Sequence, residues 1–231
     1  MRIKAESIMT TIDAGDPAAA NREALGIVRV LAVALIGPPG AGKTALIEAT
    51  ARQLRGKARV AVIAMNPAAE RDADRVSRYC DQVQAVNTAS PDATALRTAL
   101  LELDLNRVDI LLIESMGGIV GKPDFGQDQT VTILSVTGGD DKAAAYGQLL
   151  AESPLLLLTQ ADLRRQVTFD LGAFRADVRR INPAAQLIEV SAFENSGIPR
   201  WLAWLDQRRQ EKNPMYRPVA PLADVPELYV G

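Results

Sequence analysis

The chain predicts an α/β domain with a doubly wound, mostly parallel sheet covered by helices on both faces. Three observations carry this expectation. Apolar, often β-branched runs alternate with segments of helical period along most of the 231 residues. The first run leads into a glycine-rich octapeptide, Gly37-Pro38-Pro39-Gly40-Ala41-Gly42-Lys43-Thr44, with a helical pattern directly behind it. Polar and acidic residues follow the carboxyl ends of the later runs, where open α/β sheets collect ligands.

Taken in order, residues 1–20 are polar and Ala-rich around Gly15-Asp16-Pro17 and read as a loosely ordered arm. A single domain follows over 21–212. Its strands are expected at 29–36, 59–65, 83–87, 108–114, 131–137, 154–159 and 186–190. Its helices are expected at 43–55, 70–79, 91–104, 142–152, 170–181 and 197–211. After Lys212 the composition changes: 213–231 carries four prolines and no helical period, and reads as an extended Pro-rich tail.

Composition narrows the function. With 48% apolar residues the chain is globular, and a net charge of −2 offers no basic surplus for nucleic acid or an anionic membrane. Cys80 is the only cysteine, so no internal disulfide can form. The first residues lack the apolar core of a signal peptide, and the longest leucine run, 155–158, is too short to span a bilayer. These features together predict a cytoplasmic protein. There is no histidine.

The octapeptide fits G-x-x-x-x-G-K-[ST], the pattern of a phosphate-binding loop. Between a strand and a helix N-terminus, its backbone N–H groups surround one concavity, and the helix dipole favours an anion there. Gly37, Pro38, Pro39, Gly40, Ala41, Gly42 and Ala45 form the cradle. Lys43 reaches the β- and γ-phosphates, and Thr44 offers its hydroxyl to Mg²⁺. After the fourth strand, Glu114-Ser115-Met116-Gly117-Gly118 places an acid opposite the loop, suited to Mg²⁺ or its water, although a solvated loop acid reads the same way. After the second strand come Asn66, a candidate for the Mg²⁺ shell, and a charged run, 70–75. Asp72 and Asp74 there are candidates for the metal, and a charged helix face explains them equally well.

After the sixth strand, Thr159-Gln160-Ala161-Asp162 occupies the place of the guanine-reading N-K-x-D motif. Asp162 suits the N1–H and N2–H₂ donors of guanine; a helix N-cap is the alternative. Gln160 replaces the Lys that packs over the base. Ser191-Ala192, after the seventh strand, resembles the second base-contacting loop of GTPases. Asp140 or Asp141 caps a helix or serves the site.

The chain resembles the HypB-type nickel-incorporation GTPases of hydrogenase maturation, relatives of the urease accessory GTPases. The residues that carry the resemblance are GPPGAGKTALIE (37–48), RDADRV (71–76), Asn87-Thr88, ESMGGIV (114–120), DFGQDQTVTILSVTGGDDK (124–142), TQADL (159–163), 169–192 and GIPRWLAWL (197–205). The resemblance implies a SIMIBI-type P-loop NTPase that uses GTP/GDP and Mg²⁺. It implies a nucleotide-dependent homodimer serving an apo-metalloenzyme with other maturation proteins. It also implies metal ligands that this chain lacks: Ala89-Ser90-Pro91-Asp92-Ala93 stands where the family carries Cys-His, and Gly121 where it carries Cys. Asn66 stands where the family has an Asp near Mg²⁺. Nickel and zinc favour imidazole and thiolate, so no tightly bound nickel or zinc is expected, and Cys80 reads as a helix-end residue. The expected function is a slow GTPase accessory protein. The alternatives are a non-catalytic nucleotide-sensing scaffold and an ATP-dependent relative.

Overall fold

The computed structural model describes residues 15–116 and 123–216. Seven parallel strands form one sheet in the order β3-β2-β4-β1-β5-β6-β7. They are β1 Leu31–Gly37, β2 Val60–Met65, β3 Gln82–Val86, β4 Ile110–Met116, β5 Gln129–Ser135, β6 Leu155–Thr159 and β7 Gln186–Glu189. Strand order reverses beside β1, which pairs with β4 on one side and β5 on the other. The crevice outside the carboxyl ends opens at that point. All seven strands fall where the apolar runs predict them.

Successive side chains on a strand point to opposite faces, and both faces are covered. Leu31, Val33 and Leu35 pack with Leu46 and Ile47 of α2 (Lys43–Leu54) and with Trp201 and Trp204 of α8 (Ile198–Lys212). Ala32, Ala34 and Ile36 face the other way, onto Ala24 and Leu25 of α1 (Pro17–Ile27) and Leu96 and Leu100 of α4 (Ala93–Leu101). Small alanines on that side let the helices lie close. A third cluster joins Leu134, Leu156 and Leu158 to Phe174 and Val178 of α7 (Leu171–Ile181). Helix α3 (Ala69–Val76) connects β2 to β3.

Residues 17–20, expected in a loose arm, are instead the first turn of α1. Asp16 caps it by accepting from the Ala18 N–H at 2.9 Å, and Pro17 occupies the first helical position. The Asn21 amide donates to the Ala93 and Phe125 carbonyls, which fixes the helix to its neighbours. The helix expected at 142–152 divides into α5 (Lys142–Ala145) and α6 (Gly147–Ala151), because Tyr146 at φ −102 leaves the helical path before Gly147. The strand expected to reach 137 ends at Ser135 in a 3₁₀ turn, Val136–Gly138. Gly117, Gly118 and Gly121, the arm before Gly15 and the tail beyond Tyr216 lie outside the described residues.

Candidate functional site

Gly37 closes β1 and begins the glycine-rich loop. A Cβ there would run into the carbonyl of Ile133 on β5, so the sheet itself demands glycine at this point. Gly42 takes φ 76 as the N-cap of α2, a left-handed value that suits glycine. The loop then delivers Lys43 and Thr44 as the first residues of α2, both buried. Lys43 donates to the carbonyls of Gly37 and Pro38, each at 2.9 Å. Burial lowers its pKa, offset in part by the charges of Glu114 and Asp72.

Glu114 arrives by register. It lies opposite Leu35 of β1 and Ala64 of β2, and follows Ile110 and Leu112 on the face that α2 covers. Its Oε1 accepts from the Thr44 hydroxyl at 2.8 Å. The same hydroxyl lies 3.1 Å from Asp72 Oδ1, and one proton cannot serve both carboxylates together. Asn66, just past β2, donates its amide to Asp72 Oδ2 at 3.1 Å while its oxygen accepts from the Ala68 N–H. Glu114 Oε2 is buried with no partner among the described residues. Burial pushes the Glu114 carboxyl up to about 7; Asp72 adds to the rise, while the Thr44 hydrogen bond and Lys43 oppose it. These groups line a cavity of about 420 Å³ with Gly40, Arg75 and Gln160 among the others.

The chemistry of this set fits the magnesium that the resemblance implies. It offers hard oxygens only: the Thr44 hydroxyl, the Asp72 carboxylate and the unpartnered Glu114 Oε2. Of the two acids proposed from the 70–75 run, Asp72 joins the cavity. Asp74 lines a separate hollow with Glu48, Arg78 and Tyr79.

Residues from β6 hold the cradle from the side. Thr159 Oγ1 lies 2.7 Å from the Ala41 carbonyl and 3.0 Å from that of Leu134. Gln160 Nε2 donates to the Gly40 carbonyl at 3.3 Å, and its Oε1 accepts from Thr137 at 2.5 Å. Gln160 pays for this position with φ 56, in the left-handed region. Asp162 sits in the 3₁₀ turn Ala161–Arg165, half-buried and without a hydrogen-bond partner among the described residues. Gln160, not Asp162, is the N-cap of that turn, so the capping role does not apply. The Ala161 N–H donates to the Val190 carbonyl at 3.1 Å, which sets the β6 and β7 loops side by side. Buried Ser191 shapes the second loop: its Oγ accepts from the Glu194 N–H and its own N–H donates to Ser196. Asp162, Ser191 and Ala192 stand beside the phosphate cavity rather than in its wall.

Two residues named from the sequence turn out to be structural in their contacts. Asp140 accepts from the Asp170 N–H at 3.0 Å, where α7 begins. Cys80 packs against the α2-side core, and burial pushes its thiol up to about 12. Ala68, Met116 and the charged Arg75 line the cavity without having been candidates. Arg75 lies one turn beyond Asp72 on α3, and the i, i+3 spacing of the two was the available signal.

The family model described as "CobW/HypB/UreG, nucleotide-binding domain" matches residues 31–189. The chain is 34% identical over 197 residues to hydrogenase maturation factor HypB of Azotobacter vinelandii, covering 83% of this chain and 65% of that protein. It is 33% identical to the HypB of Escherichia coli K12, over 82% of this chain and 67% of that one. The chain therefore spans about two thirds of the length of these relatives. A crystal structure of HypB from Archaeoglobus fulgidus superposes with a TM-score of 0.77 at 28% identity, over 84% of this chain and 97% of that chain. HypB from Helicobacter pylori, solved in complex with nickel, shares the fold with a TM-score of 0.78 at 22% identity, over 84% and 94%.

Proposed function

The chain belongs to the CobW/HypB/UreG family of nucleotide-binding domains, and from that membership we propose that it binds and slowly hydrolyses GTP as an accessory in the maturation of a hydrogenase-like metalloenzyme. One observation carries the reading furthest. The Thr44 hydroxyl stands between the carboxylates of Asp72 and Glu114 at the mouth of a phosphate cradle, and Glu114 keeps a buried oxygen unpartnered.

The residues divide the work. Backbone N–H groups of 40–45 hold the phosphates at the α2 N-terminus. Lys43 exchanges its two carbonyl partners for phosphate oxygens, a better acceptor for a buried ammonium. Thr44, Glu114 and Asp72 would hold magnesium, which would supply charge neutralisation for the phosphates. Asn66 steadies Asp72 through its amide. Glu114 orders water near the terminal phosphate. Asp162 accepts from the guanine edge, with Ser191-Ala192 beside it and Gln160 bracing Gly40 in the place of the family's Lys. Turnover rests on positioning and charge stabilisation.

The partners that follow are an apo-metalloenzyme of the hydrogenase kind, other maturation proteins and a second copy of the chain in a nucleotide-dependent homodimer. With no histidine and one half-buried cysteine, the chain carries no tight nickel or zinc of its own. Asn66 in place of a carboxylate favours one other reading, a nucleotide-sensing scaffold without turnover.

Competition calorimetry tests the base assignment. GTP is expected to outbind ATP at least tenfold, because covering the Asp162 carboxylate with an adenine that offers it no donor pair costs on the order of 2–5 kcal/mol. Asp162→Asn is expected to weaken GTP and favour xanthosine triphosphate. Equal affinities for ATP and GTP would point to an ATP-dependent protein instead. Single-turnover hydrolysis separates the GTPase from the scaffold.

A further inference from the structure

Arg75 belongs to two hollows at once. It lines the phosphate cavity with Thr44, Asp72 and Glu114, and a neighbouring hollow of about 260 Å³ with Glu48 and Asp74. Its only ion pair among the described residues is a hydrogen bond from Nε to Glu48 Oε1 at 3.2 Å, with the Arg75 side chain 49% exposed. Both terminal guanidinium nitrogens are without a partner among the described residues. The charge of Arg75 also reaches the site, since it is one of the groups that hold the Glu114 carboxyl down against burial. Arg78 lines only the outer hollow, and Arg71 lines neither.

The cavity's charges leave room for a further cation beside Lys43 and the magnesium proposed for Thr44, Asp72 and Glu114. Two carboxylates, Asp72 and Glu114, face a single buried ammonium, Lys43, before any phosphate enters. A terminal phosphate adds more negative charge. An exposed ion pair such as Arg75–Glu48 is weak in water and easily exchanged for a stronger, bidentate phosphate contact.

We propose that Arg75 is a catalytic arginine supplied by the chain itself, parked on Glu48 in the nucleotide-free protein and turned onto the γ-phosphoryl oxygens when a nucleoside triphosphate fills the cavity. The inference rests on the GTPase reading and names a further residue in it. In the reaction the water oxygen bonds to the γ-phosphorus as the bond to the β,γ-bridging oxygen breaks. The bridging oxygen leaves with the electron pair on the nucleoside diphosphate, and the water's proton passes to the released phosphate. Negative charge gathers on the bridging and γ oxygens at the transition state. A planar guanidinium with two free nitrogens matches that charge better than it matches the ground state.

The test uses the full chain and three variants, Arg75→Ala, Arg75→Lys and Glu48→Gln. GDP affinity is measured by calorimetry and hydrolysis by single turnover. Arg75→Ala is expected to lower the hydrolysis rate at least about tenfold while GDP affinity stays within about twofold. Arg75→Lys, which keeps the charge but loses the fork, is expected to recover part of the rate. Glu48→Gln is expected to hydrolyse at the wild-type rate or faster. An unchanged rate in Arg75→Ala, or a fall in GDP affinity as large as the fall in rate, overturns the proposal. Should Arg75→Ala fail to fold, a wild-type rate in Arg75→Lys overturns it equally. Wild-type protein that binds no guanine nucleotide overturns the GTPase reading beneath, whereas intact GDP binding with an unchanged rate overturns only the role of Arg75.

Discussion

Asp109 and Glu114 stand at opposite ends of β4 and meet opposite surroundings. Asp109, just before the strand, accepts from the Arg59 N–H at 2.8 Å and the Arg59 guanidinium at 2.7 Å, with Arg209 at 3.4 Å. Burial pushes its carboxyl up, but the Arg59 hydrogen bonds and the Arg209 charge bring it below the ordinary value. Glu114, near the other end, has one hydroxyl partner, one orphaned oxygen and a pKa of about 7. The contrast extends across the sheet. At the amino end, Asp81 and Asp128 also accept from strand N–H groups, those of Val60 and Ala32, and Asp128 pairs with Lys212. At the carboxyl end, Asp162 has no partner among the described residues. One pole spends its acids on holding strands in place. The other leaves them with unused capacity, which is the condition for binding something that is not protein.

The largest expected effect sharpens this contrast at the open pole. Lys43→Ala should lower GTP affinity by about 100-fold, roughly 2.7 kcal/mol, with the fold intact by circular dichroism. Unchanged affinity by calorimetry would mean that the cradle does not take phosphate.

Glu114→Gln comes next and concerns stability. The folded carboxyl holds its proton up to about pH 7, whereas the unfolded one releases it near 4.5. This residue's cost is therefore absent below pH 4.5 and grows as pH rises through 7. The amide should stabilise the nucleotide-free protein by about 1–3 kcal/mol at pH 8, and the gain should vanish in acid. Chemical denaturation at both pH values checks it, and a pH-independent difference would break the comparison.

Asp109→Asn should act in the reverse sense. A carboxyl held below its ordinary value contributes stability above that value and loses it as pH falls through the folded pKa. The substitution should cost about 1–2 kcal/mol at neutral pH and less in acid, with nucleotide affinity unchanged. A loss of affinity would mean that the two poles are not separate.

The smallest effect is expected from truncation after Lys212. It removes the Tyr216–Asp206 hydrogen bond of 2.6 Å and the Arg209–Tyr216 stack at 3.8 Å. About 1 kcal/mol of stability should go, and GTP binding should stay.

The strands were legible because a parallel sheet buried on both faces needs unbroken apolar runs, and these residues supply them. The phosphate cradle was legible for the same local reason, since strand, loop and helix N-terminus are contiguous in sequence. Helix α1 was not, although Asp16-Pro17 is a good start signal. Its buried face is made of Ala18, Ala20, Asn21, Ala24 and Leu25, and a single large apolar residue among alanines makes a faint hydrophobic stripe. Thr44, Asp72 and Glu114 were each candidates for one magnesium site in the sequence, but the direct hydrogen bonds among them were not legible, because they join residues from three elements through register and packing. The left-handed Gln160 carries no sequence signal, as glutamine has no preference for that conformation.

Thr159 ends β6 and Gln160 caps the turn that carries Asp162, yet their side chains grip Ala41 and Gly40 of the cradle. The two half-sites are therefore fastened to one another before anything binds. By the reciprocity of linked equilibria, if filling one half-site raises affinity at the other, the reverse holds by the same factor. A nucleoside without its phosphates and a polyphosphate without its nucleoside should then fail as independent fragments. Their separate binding energies will not sum to that of the whole molecule, and the shortfall measures how firmly β6 is stitched to the loop.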